Sequence, residues 1–213
     1  MALSGCQGAP VGRRARAASL TARGCGKLAG PGPIRKSPMP TSTALETTVP
    51  VHSRAQALLP GASFHDAWRI TVADTGRSAL DLFLVAARQT PRWVEACMAL
   101  RNQVGRRVGL KHLGGLSAVV PGQPASAYRP GDRVGIFTLF ENHFDEALLG
   151  DRDRHLDVTL SVHRRVLPGG LGVEVTVSTI VRVKNIWGRL YMLPVQPMHR
   201  RITPAVLAGI ARP

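Results

Sequence analysis

Cysteine is scarce in this 213-residue chain, and its spacing fits neither a metal site nor a disulfide framework. The three cysteines are Cys6, Cys25 and Cys97, an odd number with no CxxC pair. Disulfide frameworks and zinc sites need paired or closely spaced thiols, so the sequence argues against both. We expect a protein of a reducing compartment, the cytoplasm, that holds no metal and no cofactor.

Long apolar runs are also missing. A membrane-spanning helix needs about 18 to 20 consecutive apolar residues. The uncharged stretch LYMLPVQPM near the C-terminus is much shorter and contains two prolines. The sequence therefore predicts no membrane span.

Acidic residues are few, which leaves a formal net charge of +15. Such an excess of Arg and Lys is typical of proteins that bind nucleic-acid phosphates. Seven of the 28 basic residues precede the first acid at residue 46, however, and 21 basic residues face 13 acidic ones in the rest of the chain. No aromatic RNA-binding strand or recognition-helix pattern accompanies the charge. Nucleic-acid binding therefore ranks behind the functions considered below.

Residues 1–44 differ in composition from the rest of the chain. They contain no acid, few aromatic or β-branched residues, and the proline-bearing stretches GAP, PGP and SPMP. Such a segment cannot bury enough apolar surface to offset the entropy of ordering. We therefore predict a disordered basic leader, followed by a single domain over residues 45–213.

The leader has three candidate explanations. The LSGC stretch at 3–6 looks like a lipoprotein cleavage box, but the two residues before it are too few for a signal peptide. An Arg-rich, Ser-containing, acid-free segment is also typical of an organellar transit peptide. The explanation we favour is that translation starts at Met39 and that the preceding residues are an artefact of gene prediction.

The first part of the predicted domain contains one strand and two helices. The stretch ASFHDAWRITV at 62–72 is typical of a strand. A serine cap at the start of SALDLFLVAAR, 78–88, and a first-turn proline, Pro91, at the start of 90–110 predict two helices. Spacings of three and four in the second helix predict one buried face, with Cys97 as a packing residue rather than a nucleophile. The residues of this face are Trp93, Cys97, Leu100, Val104 and Val108.

From 133 to 184 the sequence alternates with period two, which predicts an antiparallel meander of four strands. Gly169-Gly170 fits a two-residue turn in which both positions need a positive φ. Pairing outward from this turn places Asp157 opposite Arg182 and apolar residues opposite one another on the other side. A one-residue slip would set apolar side chains against polar ones, so the register is well specified.

The last stretch, residues 186–213, suits a long helix. Pro194 and Pro197 remove two backbone donors and should kink or split it. The order of elements is then strand, helix, helix, meander, helix. This order predicts an α+β fold in which an antiparallel sheet wraps a long C-terminal helix.

Four stretches of the domain resemble a bacterial family of unknown function, DUF2867. They are PRWVEACMALRNQVGRRVGLK, GDRVGIF, LLGDRDRHLDVTLSV and GRLYMLPVQPMHRRI. The resemblance covers about residues 60–212 and implies a bacterial source but no activity. The element order is also similar to the helix-grip fold, called START-like, Bet v 1-like or SRPBCC, in which a sheet and a C-terminal helix enclose an apolar cavity. One fold hosts many functions, so this likeness concerns architecture alone.

The densest group of polar residues is GDRDRHLDV at 150–158. Asp153, His155 and Asp157 alternate, so in a strand their side chains would share one face. The side chains that face them on the predicted partner strand are positively charged, and such side chains do not ligate a metal ion. The sequence therefore predicts no metal here.

Most of this stretch has a structural interpretation. Asp157 is expected to pair with Arg182, Asp151 and Asp153 to form the turn, and His155 to lie at the surface. Asp153 and His155 remain as a candidate ligand-facing pair beside the start of the terminal helix.

Two polar residues of the terminal helix are further candidates. Tyr191 and His199 are eight residues apart, about two helical turns, and share a face if the helix is unbroken. Ser161 and Ser178 face each other in the meander, but no nucleophile-elbow glycines surround them, so the sequence does not support hydrolase chemistry.

The leading hypothesis is a binding module, non-catalytic or weakly catalytic, that holds an apolar or lipid-like small molecule between sheet and terminal helix. The alternative is a cyclase- or isomerase-type enzyme in which His155 or His199 acts as acid or base with Asp153 or Tyr191. The hypothesis depends on one apolar sheet face, formed by Leu156, Val158, Leu160, Val162, Val173, Val175 and Val177.

Overall fold

The computed structural model describes residues 43–107 and 114–212. Within these ranges the order of strand, two helices, meander and final helix is the predicted one. Nearly all of the predicted leader, with Cys6 and Cys25, lies outside the described residues.

Among the described residues, seven antiparallel strands form one open sheet in the order β1-β2-β7-β6-β5-β4-β3. The long strands β2, β7 and β6 form its centre, and the short strands β1 and β3 form its edges. The bounds are β1 Leu45–Thr47, β2 Phe64–Val72, β3 Arg133–Val134, β4 Phe137–Asn142, β5 Glu146–Arg152, β6 Leu156–Val166 and β7 Val173–Val183.

The described α-helices are α1 Ala79–Arg88, α2 Arg92–Arg107 and α3 Ile186–Leu207. Helix α1 begins with a reciprocal capping box between Ser78 and Asp81, as its serine predicts. Helix α3 begins at Asn185, whose side chain accepts a hydrogen bond from the Gly188 amide. Both caps satisfy amides that a helix start leaves unpaired.

The predicted register of the last hairpin is confirmed. Leu156 pairs with Val183, and Asp157 lies opposite Arg182. Gly169 and Gly170 have φ values of 77° and 69°, which only glycine adopts without steric cost. The turn and the alternation of side chains therefore fix the pairing together.

Of the two predicted effects of the prolines, a kink or a split, the split does not occur, because α3 runs from Ile186 to Leu207 with Pro194 and Pro197 inside it. Each proline lacks the amide that would bond to the carbonyl four residues earlier, here Leu190 and Leu193. These four residues are all exposed. Water can therefore hydrate the freed carbonyls, and the helix continues.

The predicted buried face of α2 is wrong at its first three positions, and its last two, the Val104 side chain and Val108, lie outside what the structure describes. Trp93 and Leu100 are exposed, Cys97 is partly exposed, and Val94 and Asn102 are buried instead. The Asn102 side chain donates to the Gly114 carbonyl, so a polar residue ties this helix to the chain that follows. A polar anchor of this kind is invisible to a search for apolar spacing.

Different parts of the chain pack on the two sides of the sheet. Helix α1 and the end of α3 share a core with Ile70, Val162 and Val175, and we call this the helix-facing side. Residues 49–62 pack on the opposite side, where the buried residues include Ala67 and Ile180. Within the described part of the chain, no helix is long and apolar enough to cross a membrane, as predicted.

Candidate functional site

The candidate site begins with an acid in an otherwise apolar row on β2. Phe64, Asp66, Trp68 and Ile70 alternate onto the helix-facing side of the sheet. Asp66 is buried there, and its neighbour on β7 is Thr179. A buried carboxylate is costly unless other groups bond to it. The partners of Asp66 therefore define the site.

The principal partner of Asp66 is His199 of α3. The His199 Nδ1 atom lies 2.9 Å from Asp66 Oδ2. The Asp66 side chain is 4% exposed and the His199 side chain 23% exposed. The carboxylate is thus enclosed, whereas the imidazole keeps a path to solvent or to a ligand.

The hydrogen bonds around His199 assign its tautomer. A carboxylate can only accept, so Nδ1 carries the proton that is donated to Asp66. The Nε2 atom then is the acceptor. Thr179 Oγ1 lies 3.4 Å from it, and Thr203 Oγ1 lies almost equally far from both ring nitrogens, 3.2 Å from Nε2 and 3.3 Å from Nδ1. A carboxylate that holds an imidazole by Nδ1–H leaves Nε2 free to accept a proton, which is the arrangement of a general base.

The carboxylate has a second oxygen that the fold leaves unpaired. Asp66 Oδ1 is buried and has no hydrogen-bond partner among the described residues, whereas Oδ2 lies 3.4 Å from Trp68 Nε1. An unpaired buried acceptor costs about 1–3 kcal/mol. A donor group on a bound molecule would remove that cost.

Apolar side chains next to this polar group are partly exposed. Trp68 pairs with Val177 across the sheet, directly beside the Asp66–Thr179 pair. Both are partly exposed, as is Val158, which packs against α3. Much of the predicted apolar face is filled by side chains, because Leu160, Val162, Val173 and Val175 are buried. We call the region formed by the partly exposed Trp68, Val158, Val177 and His199, together with the buried Asp66, the α3 groove.

His155 lies away from the position predicted for it. It is buried rather than on the surface, and with Asp153 it belongs to the turn between β5 and β6. Its Nε2 accepts from Arg154 Nε at 2.8 Å, and its Nδ1 lies 3.2 Å from Oδ1 of Asn185, the cap of α3. Both ring nitrogens are therefore used in holding the turn to the start of the helix.

Asp153 takes part in the turn as predicted. Its Oδ1 accepts from the Arg154 amide, and its backbone carbonyl accepts from Lys184 Nζ at 2.7 Å. Asp151 is in β5 instead of the turn, and its mostly buried carboxylate lies 3.7 Å from the guanidinium of Arg133. The period-two face predicted for Asp153 and His155 does not form, because the strand begins at residue 156.

The predicted ion pair between Asp157 and Arg182 is wrong, although the two residues do lie opposite each other. Asp157 Oδ1 lies 2.7 Å from Lys184 Nζ. Arg182 instead donates to the carbonyls of Leu58 and Pro60. Its guanidinium therefore holds the segment on the opposite side of the sheet.

Tyr191 lies on α3 but bonds to α2. Its hydroxyl accepts from Arg101 Nε at 3.2 Å, and the guanidinium carbon lies 5.6 Å from the centre of its ring. Its ring also packs against the cluster of Leu156, Val181 and Met192, against which Val158 packs as well. Tyr191 therefore borders the α3 groove, with its polar end turned to a neighbouring helix.

A pocket of about 370 Å³ lies elsewhere, along α1. Its lining includes Arg77, Asp81 and Arg88. Asp81 caps the helix, and Arg88 donates to the carbonyls of Val120 and Gln123. Asp81 and Arg88 are thus engaged by the fold, and the rest of the lining contains no carboxylate, histidine, cysteine or hydroxyl group. Among the described residues, no three His, Cys, Asp or Glu side chains are placed to hold a metal ion.

Sequence reasoning missed Asp66, Thr179 and Thr203. The signal for Asp66 was a single acid among inward-facing apolar residues in FHDAW, since such an acid needs a partner. The two threonines carry no comparable signal, because threonine is common in strands and helices that have no function.

The sheet and helices define a class of α+β protein in which α3 packs on one side of an antiparallel sheet, consistent with the helix-grip arrangement. The chain belongs to the family described as protein of unknown function (DUF2867), whose model matches residues 58–206. No curated protein and no solved structure matches it. Family membership thus confirms the resemblance in the sequence and assigns no activity.

Proposed function

We propose that the protein binds a small molecule in the α3 groove, one with an apolar body and a hydrogen-bond donor at one end. The observation that carries this proposal is the buried Asp66 Oδ1 with no partner, set beside the partly exposed Trp68 and Val177. Binding sites are mostly apolar with a few placed polar groups. The apolar side chains would hold the body of the ligand, and Asp66 Oδ1, which is buried in the free protein, would accept from its donor once the side chains that cover it move aside.

The residues that the sequence predicts as ligand contacts have different roles in this proposal. His199 is part of the groove and Tyr191 borders it. We propose Asp153 and His155 only as a rim beside the start of α3, since their observed bonds stabilise the turn. The cytoplasm of a bacterium is the proposed location, and nucleic-acid binding remains the least favoured function.

A groove-filling variant tests the proposal. Native mass spectrometry of the protein from its own host should detect a retained small molecule. Val177→Phe should lose it, because the larger ring occupies the groove, whereas Val166→Phe, at an exposed position near the end of β6, should retain it. Equal retention by the two variants would contradict this site.

The geometry of His199 favours a second candidate function, acid–base catalysis of the isomerase or cyclase type. The Asp66 carboxylate orients the imidazole, and Nε2 is left as a proton acceptor. If the protein is an enzyme, His199→Gln should retain unreacted substrate, which as an isomer has the same mass as the product but differs in chromatographic retention and fragmentation. Ligands that are identical by both measures in the two proteins would favour binding without chemistry.

A further inference from the structure

The outward side of the first half of α3 is apolar and exposed. Ile186, Trp187, Leu190 and Leu193 are between 56% and 69% exposed. Residues 186, 190 and 193 recur at steps of four and three, so they share one helix face, and Trp187 adjoins it. We call these four residues the outer α3 stripe. Clustered large apolar side chains on a surface helix mark an interaction site.

The surroundings of this stripe are cationic. Arg189, Arg200 and Arg201 are exposed on the same helix, and Arg200 follows Leu193 by two turns on its face. No acidic residue follows Glu174 in the sequence. Two carboxylates from earlier in the chain contact this end and are engaged there, Asp157 with Lys184 and the buried Asp66 with His199. The partner of this surface should therefore be apolar and negatively charged.

We propose that the outer α3 stripe docks the protein on the surface of an anionic membrane. A helix with Trp, Leu and Ile on one face and Arg around them is suited to the boundary between headgroups and acyl chains. Anionic lipids attract each nearby Arg, and tryptophan rings are enriched at the level of the headgroups. This docking does not depend on a ligand in the α3 groove.

The prolines of α3 fit shallow docking. Pro194 and Pro197 leave the carbonyls of Leu190 and Leu193 without their helical partners. Such carbonyls need water, which is present among headgroups and absent from the hydrocarbon core. The stripe therefore lies in the interface and enters no deeper.

Two other occupants fit less well. In a second copy of this chain, the same arginines would face one another across the contact. The chain's own residues 1–44 carry seven basic residues and no acid, so they offer no charge complement either. Like charges brought together cost free energy, whereas an anionic lipid surface neutralises them.

Co-flotation of the full chain with lipid vesicles tests the proposal. The wild type should bind vesicles of phosphatidylglycerol with phosphatidylcholine, and bind phosphatidylcholine vesicles more weakly. Leu190→Glu should lower the binding to anionic vesicles by about tenfold or more, because a charge replaces an inserted apolar group. Arg200→Gln with Arg201→Gln should lower binding to the anionic vesicles alone.

Val51→Glu is the matched control, since it adds the same charge at a position that is 78% exposed and outside α3. It should bind as the wild type does, and circular dichroism should show that every variant is folded. The proposal is overturned if the wild type does not bind. It is also overturned if Leu190→Glu binds equally well, because that result would assign binding to the basic leader. A dimer that Leu190→Glu dissociates would assign the stripe to a second copy and also overturn it.

Discussion

His199 of the last helix donates from Nδ1 to Asp66 of β2 across 2.9 Å. This contact joins residues 133 positions apart in the sequence. It lies where the α3 groove meets the buried core. Phe64 meets the same imidazole edge-on, at 5.9 Å between ring centres. The histidine is therefore held in one orientation by an acid, an aromatic ring and nearby hydroxyls.

Asp66→Asn should change the tautomer of His199. The amide can donate to Nδ1, which would move the imidazole proton to Nε2. We expect nitrogen-15 NMR of the imidazole to show a proton on Nδ1 in the wild type and a larger share on Nε2 in the variant. The free energy of unfolding should fall by about 1–3 kcal/mol, because the charged acceptor is lost.

Glu46→Gln is the control for this change, since Glu46 is an exposed carboxylate on the edge strand β1. It should leave both the His199 signals and the stability near those of the wild type. A wild-type spectrum with the proton on Nε2 would contradict the assigned hydrogen bond.

The register of the sheet could be predicted because its causes are local. The glycines at 169 and 170 set the turn, and the alternation of valines with polar residues in β6 and β7 sets which side each residue takes. Both signals lie within about two dozen consecutive residues. No knowledge of the rest of the fold was needed.

The partners of charged side chains could not be predicted in the same way. Arg182 lies opposite Asp157 as expected, yet it bonds to carbonyls of a segment more than 120 positions away. A long side chain reaches several acceptors, and strand pairing does not choose among them. The Asp66–His199 contact escaped prediction for the same reason, because the packing of α3 on β2 brings the two together.

His155 and Asn185 should be energetically coupled. The imidazole of His155 bonds to the side-chain oxygen that also caps α3. Replacing either residue by alanine should lower the free energy of unfolding by about 1–2 kcal/mol. In a double-mutant cycle followed by urea unfolding, the coupling should be about 0.5 kcal/mol or more. Additive effects, as expected for His155→Ala with Glu46→Gln, would show that the contact contributes nothing.

Ser53 should protect the segment that packs on the opposite side of the sheet. Its hydroxyl donates to the buried Glu146 at 2.6 Å and accepts from the Ala55 amide. Ser53→Ala removes both bonds, so trypsin should cleave after Arg54 faster, as followed by mass spectrometry of the fragments. The expected loss of stability is about 1–2 kcal/mol. Ser117→Ala, at an exposed position, should leave the rate unchanged, and an unchanged rate for Ser53→Ala would contradict this role.

Gly188→Ala should destabilise the protein, although alanine is the better helix former. At an exposed helix position this change gains about 1 kcal/mol. Here the added methyl group would collide with the backbone carbonyl of His155 and lie 3.0 Å from a methyl of Val183. We expect a net loss of about 1–3 kcal/mol in thermal or urea unfolding, because the start of α3 must move off the sheet.

Two further variants separate the collision with His155 from the effect of replacing glycine by alanine in itself. Gly170→Ala places a methyl group in open space at a φ of 69°, so it should cost only the backbone strain, about 1–2 kcal/mol. In the Gly188→Ala background, His155→Ala should give no rescue, because the contacting atom belongs to the backbone. Rescue by His155→Ala would show that the side chain and not the carbonyl limits the approach of α3. A stabilising Gly188→Ala would mean that the helix starts farther from the turn than described.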